Sequence, residues 1–324
     1  MPRPHISRRV ALALAVAALL APPAWSQAYP DKPITVVVPY PAGAAVDRVA
    51  RTLALELGKR LGKPVLVENV SGASGSIGAK KVQRAPADGY TLLLGTVNDM
   101  MVAPVVMKAG YSLKDFTPIV RLSTNSTVLV AHPSFPANTM DEVAALAKRD
   151  KEPLLAGATG VAMMQTIGGS MVADAGGFKL EHVVYKGGAP LLNDLAAGQV
   201  KLGTIALLSA LPMIRDDKLK AIGVISGQRD PTAPQIPTVN EGKLVKGASA
   251  DLWTGLFGPA NLPEHITTKL SSALREVLAD AVYREGEFKT GSIVAEWTRP
   301  QVFEQYLRQE EKRLHPLLIK VKTE

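Results

Sequence analysis

Short runs of β-branched and other apolar residues alternate along this chain with longer stretches whose apolar positions recur every three or four residues. ITVVVPY (34–40) reads as a strand. After it, Val46, Val49, Ala50, Leu53, Leu57 and Leu61 fall at helical spacing and predict an amphipathic helix. PVLVENV is then a strand, IGAKKVQRA a helix and YTLLLGT a strand. The rhythm returns in STVLVAHP, a helix from about Met140 to Lys148, LLAGAT, a helix through Met171, and HVVYKGG. PLLNDLAAG follows, with Pro190 suited to a first helical turn and Gly198 to the stop, and then the strand KLGTIAL. Strands that alternate with helices and are apolar on both faces predict an α/β fold with mainly parallel sheets and right-handed crossovers. Two such blocks in about 300 residues predict two lobes. LWTGLFGPA (252–260) has strand character and would return the chain to the first lobe. Two helices close the sequence. One opens at Pro263 and runs through Ile266, Leu270, Leu274 and Val277. The other opens on Thr298, Arg299, Pro300 and Gln301, read as a capping box, and continues through Phe303, Tyr306 and Leu307.

The first 28 residues break this rhythm. MPRPHISRR carries Arg3, Arg8 and Arg9 and no acid, an apolar run from Val10 to Ala21 follows, and PPAWSQA places small Ser26 and Ala28 where a signal peptidase reads. The pattern predicts a secretory signal peptide over 1–28, cut after Ala28, and an exported mature chain. The pair Arg8 and Arg9 leaves both general secretion and twin-arginine export open. No later segment offers the roughly 18 uncharged apolar residues of a membrane helix. The chain has no cysteine, which excludes disulfides, thiolate catalysis and a lipid anchor on an N-terminal cysteine. Of the formal charge of +8, three belong to the signal arginines, which leaves +5 on residues 29–324. That excess is scattered among acids, as in KRDKE and RDDKLK, and no aromatics interleave with it. No nucleic-acid partner is expected, whereas a mild positive field favours a small anion.

In a parallel α/β sheet, ligands sit beyond the carboxyl ends of the strands, where helix N-termini converge. Four loops have that location: PYPAGAAVD (39–47), SGASGSIG (71–78), GATGVA (157–162) and YKGGAP (185–190). Their small residues let a ligand approach main-chain N–H groups, and each helix start adds unpaired donors and partial positive charge. Taken singly, each also suits an ordinary tight turn packed for helix–strand contact. Together they predict a cleft for a small carboxylate. Asp47 lies in the first turn of its helix, where it either complements the helix dipole or orients a ligand.

Enzyme signatures are missing. No G-x-G-x-x-G, G-x-x-x-x-G-K-[ST] or G-x-S-x-G motif occurs, and His132, His182, His265 and His315 lack metal spacing. Neither cofactor nor metal follows from the sequence.

The order of motifs is specific. YPDKPITVVVPYPAGAAVDRVAR, GKPVLVENVSGASGSIGAKKVQRAPADGYTLLLGT, VVYKGGAPLLNDLAAGQV, KLKAIGVISGQRDPTAPQIPTVNE and WTGLFGPANLP together resemble the extracytoplasmic solute receptors of the tripartite tricarboxylate transporters, the Bug family. The resemblance covers nearly the whole mature chain. It implies a periplasmic type II binding-protein fold, with two α/β lobes hinged by two crossover strands near Thr124–Thr127 and Asp251–Gly255. Lobe 1 would comprise 29–125 and 252–324, and lobe 2 residues 126–251. It also implies a periplasmic monomer that captures a small organic acid by hinge closure and passes it to membrane permease subunits, without catalysis. A sensory module presenting the closed form to a signalling partner is the alternative, and an exported enzyme acting on an organic acid is a third. Carried over by position, the first-lobe wall is Tyr40, Ala42, Gly43, Ala44, Ala45 and Asp47 with Thr96 and Asn98. The second-lobe wall is Ala158, Thr159 and Gly160 with Lys186 and Gly187. Where the family usually has two glycines and a small polar residue before the aspartate, this chain has Ala44, Ala45 and Val46. Gln165 replaces a frequent histidine, beside Met163 and Met164. Extra methyls and a lost hydroxyl point away from citrate and toward an aromatic or otherwise apolar carboxylate.

Overall fold

The computed structural model describes residues 29–150 and 152–321, so the expected signal peptide lies outside the described residues. Eleven strands form two sheets among them. The first holds β1 (Ile34–Val38), β2 (Val65–Asn69), β3 (Thr91–Thr96), β4 (Phe116–Asn125), β10 (Leu252–Pro259) and β11 (Ile293–Val294), in the order β11-β4-β10-β3-β1-β2. The second holds β5 (Thr127–Ala131), β6 (Leu154–Ala158), β7 (Leu180–Val184), β8 (Leu202–Ala206) and β9 (Lys220–Val224), in the order β7-β6-β8-β5-β9. This is the two-lobed α/β architecture that the alternation of strands and helices predicts.

The sheets are less parallel than expected. In each, three strands run parallel, β2-β1-β3 and β7-β6-β8. The remaining pairings, of β10 with β3 and β4, β11 with β4, and β5 with β8 and β9, are antiparallel. The crossings explain this. The chain passes from the first sheet to the second between Asn125 and Thr127, and returns just before Leu252. Strands β5 and β10 therefore start at the boundary between lobes and run away from it, while the strands that carry the candidate loops run toward it.

The two crossings lie side by side, with Leu252 in register with Asn125. Thr127 Oγ1 donates to Ala250 O at 2.8 Å, Ser123 and Thr254 hydroxyls bond at 2.8 Å, and Ser126 Oγ donates to Asp230 Oδ2 at 2.7 Å. All these side chains are buried. A buried hydroxyl without a partner is costly, so each bond helps to fix the boundary.

The predicted helix after β1 forms at Ala45–Leu61 and buries Val49, Ala50, Leu53, Leu57 and Leu61. Its inner face packs with Val36 and Val38 of β1, while Val37 packs on the opposite side of the sheet. Burial on both faces is what makes ITVVV unbroken in apolar character. The last helix begins at Pro300, with Arg299 as its cap residue and no side-chain cap. The expected capping box does not form, because proline takes the first helical position and leaves Thr298 one residue too far out.

Gly95 of β3 and Gly255 of β10 are register partners. A Cβ on Gly255 would lie 2.5 Å from Phe303 Cζ, and one on Gly95 would lie 2.9 Å from the Phe257 ring. The absence of both side chains lets Trp253, Phe257, Phe303 and Tyr306 cluster with ring centroids 5.5–6.5 Å apart. Gly255→Ala should therefore cost about 1–3 kcal/mol through overpacking, read as a lower urea midpoint at unchanged slope.

Candidate ligand-binding cleft

The loop after β1 is shaped by a turn at Gly43, whose φ of +84° suits glycine. Gly43 N–H donates to Asp47 Oδ2 at 2.9 Å, and Ala44 N–H to Pro41 O at 3.2 Å. Asp47 also accepts from Arg51 Nε at 3.0 Å and from Asn69 Nδ2 at 2.8 Å. The same Asn69 amide reaches Tyr40 O at 3.1 Å. Burial alone would raise the Asp47 carboxyl, but the bonds from Arg51, Gly43 and Asn69 outweigh it and hold the group below the ordinary aspartate value. Asp47 thus ties its own loop to the end of β2. Ala42 and Gly43 are exposed, while Ala44 and Ala45 are half-buried where the helix starts. The first N–H groups of that helix have no intrahelical acceptor.

Strand β3 ends at Thr96 and turns into a short π-helical segment, Asn98–Val102. Such wide turns commonly mark functional sites. Thr96 Oγ1 lies 2.9 Å from Tyr40 Oη and accepts from Asn98 N–H at 3.1 Å. Beneath them is Asp99, fully buried. It accepts from Thr96 N–H at 3.0 and 3.1 Å, from Thr96 Oγ1 at 2.5 Å and from Tyr40 Oη at 3.1 Å. Tyr111 Oη donates to the Asp99 main-chain oxygen. Desolvation pushes the Asp99 carboxyl up to about 7, against the lowering effect of the Thr96 and Tyr40 hydrogen bonds.

In the second lobe, β6 ends at Ala158, and Gly160 turns the chain with φ +145°. Thr166 Oγ1 donates to Gly160 O at 2.6 Å and holds that turn against the helix Met164–Gly176. Across the boundary, Asn98 Oδ1 accepts from Met164 N–H at 2.7 Å. A first-lobe side chain therefore occupies one of the free donors at a second-lobe helix start. Nearby in sequence, Thr159 Oγ1 and Gln165 Oε1 are buried without a hydrogen-bond partner in the protein. After β7, Gly187 adopts φ +122° just before the helix Gly188–Ala196, and Lys186 is exposed.

The structure brings Tyr40, Thr96 and Asn98 into one network, places Gly43 on Asp47, and sets Asn98 against the helix that follows Ala158, Thr159 and Gly160. Among the described residues, no hydrogen bond joins Lys186 or Gly187 to the others of the set. Sequence reasoning missed Asp99, Asn69 and Tyr111. The available signal for Asp99 was an isolated acid heading the apolar run MMVAPVVM. No cluster of His, Cys, Asp and Glu with metal-binding geometry occurs among the described residues.

Two α/β lobes, two adjacent crossings and the Asn98–Met164 bond between the lobes are the frame of a two-lobed solute-binding receptor. The chain belongs to the tripartite tricarboxylate transporter family receptors, whose family model matches residues 49–322. Among solved structures, Rpa4515 of Rhodopseudomonas palustris with adipate is 26% identical, with a TM-score of 0.82 over 89% of this chain and 97% of that one. MatC of the same species, with bound malate, is 29% identical, with a TM-score of 0.78 over 90% and 100%. The periplasmic binding protein BugD is 32% identical, with a TM-score of 0.79 over 90% and 98%.

Asp99 also affects stability. Its folded-state value lies above that of an unfolded aspartate, so the native protein holds the proton longer. The associated stability is complete below about pH 4 and is lost as pH rises through about 7. Asp99→Asn cannot ionise, so its urea midpoint should change less between pH 5 and pH 8 than that of the wild type. Parallel pH profiles for the two proteins would refute the assignment.

Proposed function

We propose that the protein captures a small organic carboxylate between its lobes in the periplasm and presents the closed form to membrane permease subunits, without catalysing a reaction. The observation that carries this reading is the Asn98–Met164 bond, in which an oxygen from one lobe satisfies a helix-start N–H of the other. A carboxylate oxygen has the same hydrogen-bonding character, and the helix end favours its charge. One helix end contributes roughly 0.3–2 kcal/mol, whereas micromolar affinity needs about 8 kcal/mol. Several converging loops are therefore required. We take the walls to be Tyr40, Ala42, Gly43, Ala44, Ala45, Asp47, Thr96 and Asn98 on one side, and Ala158, Thr159, Gly160, Lys186 and Gly187 on the other.

The lobes in this reading are 29–125 with 252–324, and 126–251, and the receptor acts as a monomer after removal of residues 1–28. Relatives solved with adipate and malate support a dicarboxylate or a similar acid. Ala44, Ala45, Val46 and the paired Met163 and Met164 favour an apolar body between or beside the charges.

A thermal-shift panel of adipate, malate, citrate and aromatic carboxylates tests the reading. A ligand at 100 times its dissociation constant adds about 2.7 kcal/mol to stability. A Cβ on Gly43 or Gly187 would meet nothing within 4 Å, so a leucine at either position extends into open space. Gly43→Leu and Gly187→Leu should each abolish the shift, while positive φ costs the ligand-free protein about 1–3 kcal/mol. An undiminished shift in either variant would remove that loop from the site.

A further inference from the structure

The cleft accounts for Tyr40, Thr96 and Asn98 but gives no role to the carboxyl buried behind them. We propose that Asp99 sets the hydrogen-bonding polarity of the first-lobe wall, so that an anionic ligand binds together with one proton. The proposal rests on the cleft reading above and adds a proton to it.

The argument is a count of hydrogens. Each hydroxyl has one proton to give. With Asp99 ionised, its carboxylate draws the Thr96 hydroxyl proton at 2.5 Å and the Tyr40 phenol proton at 3.1 Å, besides the Thr96 N–H. Both hydroxyls then keep only lone pairs for anything else. Thr96 Oγ1 already receives Asn98 N–H, and Tyr40 Oη is left with acceptor character. An incoming carboxylate meets oxygen lone pairs there, with a buried negative charge behind them.

Protonation reverses this. A proton from solvent on Asp99 Oδ1 makes the group a donor toward Tyr40 Oη or Thr96 Oγ1, and one hydroxyl proton is released to turn outward. Tyr40, half-buried where Thr96 is closed in, is placed to make that turn. The wall then offers a donor, and the repulsive charge is gone. The ligand's own charge acts in the same direction, because a second anion nearby favours the protonated carboxyl.

The surroundings leave Asp99 to supply the charge change. Tyr40 faces it from the loop after β1, Thr96 from β3, and Tyr111 from the segment beyond the short helix Ala103–Val106. From the turn Ala73–Gly75, the Gly75 backbone approaches closely, since a Cβ there would lie 2.7 Å from Asp99 Cβ, and the turn carries no charged residue. Glu311 and His315, on the helix Pro300–Leu318, line a cavity of about 230 Å³ together with Met100, Met101 and Tyr111, and neither is hydrogen-bonded to Asp99. Among the described residues, no lysine or arginine is paired with the Asp99 carboxyl.

Calorimetric titration with adipate and with malate at pH 6.5, 7.5 and 8.5 tests the proposal, since both acids are ionised throughout that range. The binding-competent fraction falls with deprotonation, so Kd should rise by up to about tenfold per pH unit above the Asp99 midpoint. Asp99→Asn, permanently neutral and still able to donate, should bind with a Kd that is flat across the range. In the wild type at pH 7.5, two buffers of different ionisation enthalpy should report net proton uptake on binding, a measurement that needs no variant. A flat wild-type profile without proton uptake would overturn the proposal and leave the receptor reading intact. Equal weakening of Asp99→Asn at every pH would reduce Asp99 to a structural part and overturn it as well. No heat from either acid at any pH, together with an empty thermal-shift panel, would overturn the receptor reading and this proposal with it.

Discussion

The pairing of β4 with β10 is the constraint on which the rest depends. Eight positions are in register, from Leu252 opposite Asn125 to Pro259 opposite Phe116. Because both strands meet the boundary at the same end, the chain makes its two passages between lobes at one place. Ser123 with Thr254 and Thr127 with Ala250 O then close the polar groups of that place on each other. Strand directions follow. Whatever starts at the passage runs away from the boundary, and β1, β3, β6 and β7, which end there, deliver their loops to it. A cleft at the carboxyl ends of the parallel strands is a geometric consequence of where the chain crosses.

Much of this was legible in the sequence, and the limits are instructive. Strands buried on both faces declare themselves as unbroken apolar runs, so β1, β3, β5 and β8 could be read directly. Strand β4 could not, because Pro118 and Arg121 interrupt FTPIVRLSTN at positions where the pairing with β10 tolerates them through register shifts. Mixed strand direction is invisible to periodicity, since a buried strand has the same pattern whichever way it runs. The glycine loops were legible for a local reason. Gly43, Gly160 and Gly187 hold positive φ, which other residues adopt only with strain.

Asp99 was not legible, and the reason is tertiary. Its neighbours in sequence make it look like the polar end of a strand. Its environment comes from Tyr40, 59 residues earlier, and from Tyr111, beyond the next turn. Desolvation is a property of the assembled site and leaves no trace in local spacing. Asp47 shows the converse. Its position in a first helical turn was plain, and its bonds to Gly43 and Arg51 are local, but its bond to Asn69 depends on how β2 lies beside the loop.

The end of β3 joins two kinds of control in four residues. Asn98 reaches across to Met164, its N–H rests on Thr96 Oγ1, and Thr96 in turn bonds Asp99 from both its main chain and its hydroxyl. Moving Asn98 therefore disturbs the donors that solvate the buried carboxyl, and changing the carboxyl's charge alters the hydroxyl on which Asn98 rests. An effect of closure on protonation implies, by linkage, an equal effect of protonation on closure. At the start of the π turn Asn98 reaches the other lobe, while the next residue, Asp99, is buried against Thr96 and Tyr40. The cross-lobe contact and the proton site are thus adjacent because consecutive residues of one turn supply them.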